Sequence, residues 1–389
     1  MIFLLEIAQY LTTFLAACSL VVALWNNRFL NRLSEIDGNR PFNLSSSKVS
    51  VLIPARNEAT RINECITKLL EQDHSNIEII ILDDRSTDRT VELVECWARK
   101  DKRIVVVKGN DLPAGWVGKH WACHQLAHMA KGDHFLFVDA DTVIASKTIT
   151  HALIESSERD ADLLTVIPSR TINCVIEKLI YSFIDWAIFC WLPLKIAHSR
   201  DNAYLSATFG QFMLFKREAY FKTGGHEAIK DNAIDDFELG RMIKRLGLKW
   251  VLTDGSGMVR SLSYGGNIAA FRGISRSVFP ALNYRLSVLA SMSFLLGICG
   301  FLPVSTLIAR VVFGVVETQF VMYSALSLSL FSLSWLIVCK RFGHSLFALL
   351  VYPISIAVIL IMAYYSMLAN AFTFATWKGR NIEGRRLRL

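Results

Sequence analysis

Hydrophobic positions divide the chain into three regimes. From residue 2 to 25 they are almost continuous, interrupted by one acidic residue, Glu6, over a length that meets the ~20 residues a helix needs to cross a bilayer. From residue 48 onward, short apolar runs alternate with amphipathic stretches. VSVLIP (49–54), IEIIIL (77–82), RIVVVK (103–108), HFLFVD (134–139) and ADLLTVIP (161–168) read as strands buried on both faces, and 60–72 and 88–100 as helices, the second opened by the capping-type cluster Ser86, Thr87 and Asp88. This alternation predicts an α/β fold with a Rossmann-like, mostly parallel sheet. Runs at 288–313, 320–339 and 345–376 are again long enough to cross, and between Leu286 and Thr376 the fixed charges are Arg310, Glu317, Lys340 and Arg341 alone.

The expected organisation is an N-terminal anchor helix (1–27), an α/β domain (48–255), an interfacial segment (256–285), a C-terminal transmembrane region (286–377) and a basic tail (378–389). Within it, Ile268 to Leu282 is amphipathic, with Arg272 and Arg276 on a polar stripe suited to a membrane interface. Residues 178–194, rich in Ile, Phe and Trp, suit an interfacial or a buried helix equally. The last apolar run, about 32 residues and roughly 48 Å as a helix, overshoots a ~30 Å core. A bend at Pro353 and a final third lying on the surface both remain open. Three crossings after a cytoplasmic domain would also carry the basic tail outside, against the positive-inside tendency.

Composition supports a mixed protein. The 389 residues are 52% hydrophobic and 20% charged, with a mean hydropathy of +0.35, too apolar for an ordinary soluble enzyme and too polar for a bundle of spans. A net charge of +8 raises nucleic acid as a partner, but no basic run with interleaved aromatics lies in the polar region. Basic residues instead flank apolar segments: Arg28 and Arg32 after the first, and Lys378, Arg380, Arg385, Arg386 and Arg388 after the last. The charge therefore reads as topology, with a multi-pass protein in the cytoplasmic membrane, its polar domain facing the cytoplasm, and no nucleic-acid partner. The start MIFLLEIAQY lacks the basic residues of a secretory signal, so an uncleaved anchor is expected and LAAC ending at Cys18 is taken as coincidence. The eight cysteines form no C-x-x-C pair and indicate neither zinc nor a disulfide framework.

Candidate chemistry lies where apolar strands end. HFLFVD runs into Asp139-Ala140-Asp141, hard oxygen ligands suited to Mn²⁺ or Mg²⁺, although a lone D-x-D is most often a solvated turn. IEIIIL ends in Asp83 and Asp84, placed to accept hydrogen bonds from a base or ribose, or to cap the next helix. Asp235 and Asp236 open the segment DDFELGRMIKRLG, where acids in a first turn favour the helix dipole whatever else they do. His120, His124 and His128 recur every four residues, but packed or solvated imidazoles explain that spacing better than a metal site does.

VSVLIPARNE, LDDRSTD, FVDAD, TGGH and IDDFELGRMIKRLG, in this order and spacing, resemble the family 2 glycosyltransferases of GT-A fold over residues 49–250. GWVGKHWACHQLA (115–127), WKGR (377–380) and the terminal anchors are similar to a narrower branch, the hopanoid- and carotenoid-associated glycosyltransferases. The resemblance implies that Pro54, Ala55, Arg56 and Glu58 line a nucleoside pocket with Asp83 and Asp84, that Lys119 and Arg276 approach the diphosphate, and that Asp139 and Asp141 serve donor and metal. It makes Asp236, beside Asp235, the catalytic base, and Gly224-Gly225-His226 an acceptor-side loop, for which a simple turn is the plainer reading. The Q-x-x-R-W signature of processive members is replaced by Phe271-Arg272-Gly273-Ile274-Ser275-Arg276-Ser277, without Trp. The expected function is inverting transfer of a single sugar from a nucleotide-sugar, UDP-linked by preference, to a lipid-like acceptor such as a hopanoid, carotenoid, polyprenyl phosphate or glycerolipid. A nucleotidyltransferase would need a Gly-rich basic loop where IPARNE stands. A non-catalytic membrane scaffold would be favoured by loss of the acids, all of which are present.

Overall fold

A computed structural model describes residues 2–37, 47–314, 316–372, 376–377 and 380–381. The first regime forms one helix, α1 (Ile2–Phe29). The polar region then follows as β1 (Val49–Ala55), α2 (Ile62–Leu70), β2 (Ile77–Asp83), α3 (Thr90–Lys100), β3 (Ile104–Lys108), α4 (Gly118–Met129), β4 (His134–Val138), β5 (Thr142–Ile144), α5 (Thr148–Glu158), β6 (Leu163–Ile167) and β7 (Ser169–Arg170). It continues through α6 (Val175–Trp191), α7 (Leu194–Ser199), β8 (Phe212–Lys216), α8 (Arg217–Lys222), α9 (Asp235–Arg245), β9 (Trp250–Asp254), β10 (Val259–Ser261) and α10 (Asn267–Ala281).

All five expected runs are strands of one seven-stranded sheet in the order β3-β2-β1-β4-β8-β6-β9. Helices cover both faces, so the strands are buried on both sides and show no alternation; every residue of β6 is buried. Pairing is parallel except at β8, which lies antiparallel between β4 and β6. β8 and β9 were not anticipated; each is five residues long, and tertiary pairing rather than local pattern makes them strands. The parallel register pairs Ala55 with Asp83, and this aligns the carboxyl ends of β1 and β2 beside the end of β4, the edge where ligands bind in open α/β sheets. β5, β10 and β7 form a second small sheet at that edge.

Three apolar helices follow: α11 (Leu286–Phe313), α12 (Thr318–Phe342) and α13 (Ala348–Ala371). With α1 they make four helices long and apolar enough to cross a membrane. Gly314 and Gly343, at φ of +70° and +73°, take the left-handed conformation that terminates α11 and α12. α13 runs as one helix through Pro353 for 24 residues, about 36 Å, so the chain does not reverse at Pro353, and the helix is shorter than the expected run though still longer than a ~30 Å core. The 178–194 stretch is the largely buried α6, whose Trp186 stacks on Trp335 at 5.3 Å and donates to Ser334 Oγ at 2.9 Å. Arg341, at the end of α12, donates to Asp254 Oδ2 at 2.9 Å and to the Leu30 carbonyl at 2.6 Å. This buried guanidinium ties α12, α1 and β9 together. Within 377–380, Trp377 and Arg380 form an antiparallel pair; most of the expected basic tail lies outside the described residues.

Candidate active site

A cavity of about 480 Å³ opens at the carboxyl ends of β1 and β4, bounded by the starts of α4 and α9 and by α6 and α10. From the β1 side, Pro54, Arg56 and Glu58 line it. Arg56 Nη1 also donates to the carbonyls of Asp84 and Arg85, at 2.6 and 3.0 Å, which clamps the β1 loop to the β2 loop. Asn57 and Arg85 both hold positive φ, at 53° and 57°; strained residues of this kind persist only where surrounding contacts fix them, here Asn57 N–H to Ser86 Oγ and Thr87 N–H to Asn57 Oδ1. Ala55, Asp83 and Asp84 are buried outside the cavity lining. Both oxygens of Asp83 accept the Ser86 N–H at 3.2 Å, so its carboxylate shapes the loop.

Four charged groups converge at the centre. Lys119 Nζ sits 2.8 Å from Asp139 Oδ1 and 3.1 Å from Asp235 Oδ2, joining the end of β4 to the start of α9. Burial opposes the ammonium charge, but the two carboxylates outweigh it and hold the Lys119 pKa well above its ordinary value. Burial likewise opposes the Asp235 charge, yet Lys119 and His226 keep that carboxyl well below the usual range. Asp236 differs. Its burial and the neighbouring Asp235 charge push it up to about 7, against the pull of Lys119 and of two backbone donors. Those donors fix its position: Gly210 N–H reaches Oδ2 at 3.0 Å and Phe237 N–H reaches Oδ1 at 2.8 Å. Adjacent carboxyls with opposed environments divide into a permanent anion and a proton acceptor working near neutral pH.

Asp141 lines the same cavity, and burial followed by the charges of Asp139 and Glu58 pushes its carboxyl up to about 7. Asp139, Asp141 and Glu58 all line the cavity and offer the oxygen donors that a hard divalent cation takes. A second set, Cys123, His226 and Asp235, brings one ligand-type atom from each within 4.8 Å. It suits a cation poorly, because the Lys119 ammonium already faces Asp235 and burial pushes the Cys123 thiol well above its usual range.

Gly224-Gly225-His226 forms a turn behind the cavity, with both glycines at positive φ. A Cβ on Gly225 would lie 2.5 Å from Tyr220 Cζ. Tyr220 Oη receives the His226 N–H at 3.2 Å and shares a hydrogen bond with His226 Nδ1 at 2.8 Å. His226 Nε2 faces Asp235 Oδ2 at 3.8 Å. His226 thus backs Asp235. His120, His124 and His128 do not act together: His120 is buried with His226, while His124 and His128 pair with each other at 4.3 Å near the surface.

Several lining residues escaped sequence reasoning. Gly210 lies so close that an added Cβ would meet both Asp236 Oδ2 and Lys119 Nζ at 3.3 Å. Arg272, read as interfacial, lines the cavity together with Arg276, and among the described residues neither is ion-paired; their i, i+4 spacing was the available signal. Arg170 also lines it, held by Asp185, whose oxygens both accept Arg170 Nη1 at 2.7 Å while Oδ2 meets His344 Nε2 at 2.7 Å. Nothing local in SRT or FIDW signals that pairing.

Acidic clusters at the carboxyl edge of a mostly parallel sheet, gathered around a half-buried lysine, define a GT-A fold of the kind that handles nucleotide-sugars. Residues 50–222 match the model of Glycosyl transferase family 2, which covers most of the α/β domain. Among curated proteins it is similar to the 4,4'-diaponeurosporenoate glycosyltransferases of Staphylococcus haemolyticus, 27% identical over 57% of this chain and 58% of that one, and of Staphylococcus aureus strain MRSA252, 30% identical over 52% of each. The matches thus span little more than half of these relatives. A mannosyltransferase from Pyrobaculum calidifontis, solved with GDP-Man and Mn²⁺, shares the fold with a TM-score of 0.51 at 16% identity, over 91% of this chain and 99% of that one.

Proposed function

We propose that this protein transfers a single sugar, with inversion, from a nucleotide-sugar, UDP-linked by preference, to an apolar acceptor held at the cytoplasmic face of the cytoplasmic membrane. The observation that carries the reading is the Lys119–Asp139–Asp235 bridge with Asp236 beside it, in a cavity whose walls α6 and α10 pack on α13. The staphylococcal relatives, by their names, favour a carotenoid-like acceptor over a hopanoid, polyprenyl phosphate or glycerolipid.

In this reading Pro54, Arg56 and Glu58 flank the nucleoside, while Lys119, Arg272 and Arg276 offset the diphosphate charge. Asp139 and Asp141, with Glu58 near, would hold Mn²⁺ or Mg²⁺, which when bound supplies further charge neutralisation at the leaving group. Asp236 accepts the proton of an acceptor hydroxyl as that oxygen bonds the anomeric carbon; the bond from that carbon to the diphosphate oxygen breaks on the opposite face, and the nucleoside diphosphate departs. Asp235 stays ionised and keeps Lys119 in place.

The test is transfer of radiolabel from UDP-sugars into the organic extract of membranes containing the full chain and a C30 carotenoid alcohol or acid. Labelled lipid that requires the protein supports the proposal. Label that stays in the aqueous phase with every donor and acceptor tried sinks it.

A further inference from the structure

The packing of α13 separates it from the other three apolar helices. α1 and α12 run side by side, with Tyr10 5.0 Å from Tyr323 and Thr13 Oγ1 2.9 Å from Ser327 Oγ at one end. At the other end, Arg341 reaches the Asn27 and Leu30 carbonyls. Because Arg341 also holds Asp254 of β9, that second end lies on the domain and the Tyr10–Tyr323 end lies far from it. α11 leaves the domain just after α10 and runs toward the far end, where Gln9 Nε2 donates to Thr306 Oγ1 at 2.8 Å. These three helices traverse the same thickness.

α13 does not follow them. Just before its start, His344 meets Asp185 of α6 at 2.7 Å and Lys178 of α6 lies 5.4 Å over the Phe347 ring. Near its end, Ser366 Oγ accepts the Phe279 N–H of α10 at 3.1 Å, and Ala369 packs with Val117 and Ala233 on the cavity rim. Between these points, Tyr352 meets Phe331 and Trp335 of α12, and Ile356 fills the space at Gly300, about midway along the 28 residues of α11. Toward the end Ala363 returns to Leu289, near the start of α11. A helix of about 36 Å that crossed a ~30 Å core would carry its ends to opposite faces. Both ends of α13 rest on the domain.

We infer that α13 does not cross the bilayer but lies obliquely within the leaflet on the catalytic side, seated on α6 and α10, so that the chain crosses three times and its C-terminus emerges beside the catalytic domain. The partner of its outer face, where Leu350, Ile354, Ile361 and Leu368 are exposed, is the acyl-chain layer of that leaflet. This placement sets Lys378, Arg380, Arg385, Arg386 and Arg388 on the same side as Arg28 and Arg32, as the positive-inside tendency requires. It does not depend on the reaction assigned to the cavity.

The experiment uses the full-length protein in sealed membrane vesicles of both orientations, with a protease-cleavable epitope appended after Leu389, inserted after Lys102 in the α3–β3 turn, or inserted after Gly314 between α11 and α12. The epitopes at 389 and 102 are expected to be lost together in one orientation and the epitope at 314 only in the other. Protection of the 389 epitope under conditions that remove the 102 epitope overturns the inference. That comparison stands even if the insertion after Gly314 prevents folding.

Discussion

Asp235 and Asp236 are adjacent in sequence, yet their surroundings give them opposite tasks. Lys119 and His226 keep Asp235 ionised, while burial beside that anion lets Asp236 retain a proton up to about 7. Asp236→Asn should lower transfer to a hydroxyl acceptor at least a hundredfold while leaving nucleotide affinity within about twofold; near-full turnover in that variant removes Asp236 from the mechanism. Since the base must be ionised, the rate at saturating substrate should climb as pH rises through about 7 and then level off. Stability carries the opposite sign. A carboxyl raised from ~3.9 in the unfolded chain favours folding at low pH and loses that contribution as pH rises through its folded value. At pH 8 the Asn variant should therefore unfold at or above the wild-type temperature, which thermal denaturation followed by fluorescence can check. Gly225→Ala should act differently: positive φ and the Tyr220 ring leave no room for a Cβ, so both melting temperature and turnover should fall.

Among the elements, the strands were legible because parallel strands buried on both faces must be continuous apolar runs, and five such runs stand in the sequence. β8 was not legible, since FMLFK becomes a strand only by filling the gap between β4 and β6. The acids at the ends of β4 and at the start of α9 were readable from their positions, and the structure gathers them around Lys119. Asp83 and Asp84 had the same sequence signature but lie outside the cavity lining; the Asp83 carboxylate accepts the Ser86 N–H, and Arg56 clamps the Asp84 carbonyl from 28 residues away. The Arg170–Asp185–His344 chain joins β7, α6 and the α12–α13 turn, and no local pattern announces contacts over such separations. Asp185 is buried between Arg170 and His344. Asp185→Asn should cost about 3 kcal/mol, because it leaves the Arg170 guanidinium buried without its counter-charge. The readout is chemical denaturation in detergent; a loss under about 1 kcal/mol would show that the cavity hydrates Arg170 adequately.

At the scale of the whole molecule, an α/β domain that matches Glycosyl transferase family 2 sits on a bundle of apolar helices, joined to it at Arg341–Asp254 and at His344–Asp185. Its central cavity is walled by the same helices, α6 and α10, that carry α13, which in the proposed reading brings a polar donor to the edge of an apolar phase. The account rests on that donor site. The most direct test is the thermal stability of the detergent-solubilised protein with UDP-, GDP- and dTDP-sugars, each with Mn²⁺ and with EDTA, since a ligand at a hundred times its Kd stabilises by about 2.7 kcal/mol. The account predicts a rise in melting temperature with one nucleotide class, lost in EDTA and in Asp139→Asn. No rise with any nucleotide under either condition would contradict it.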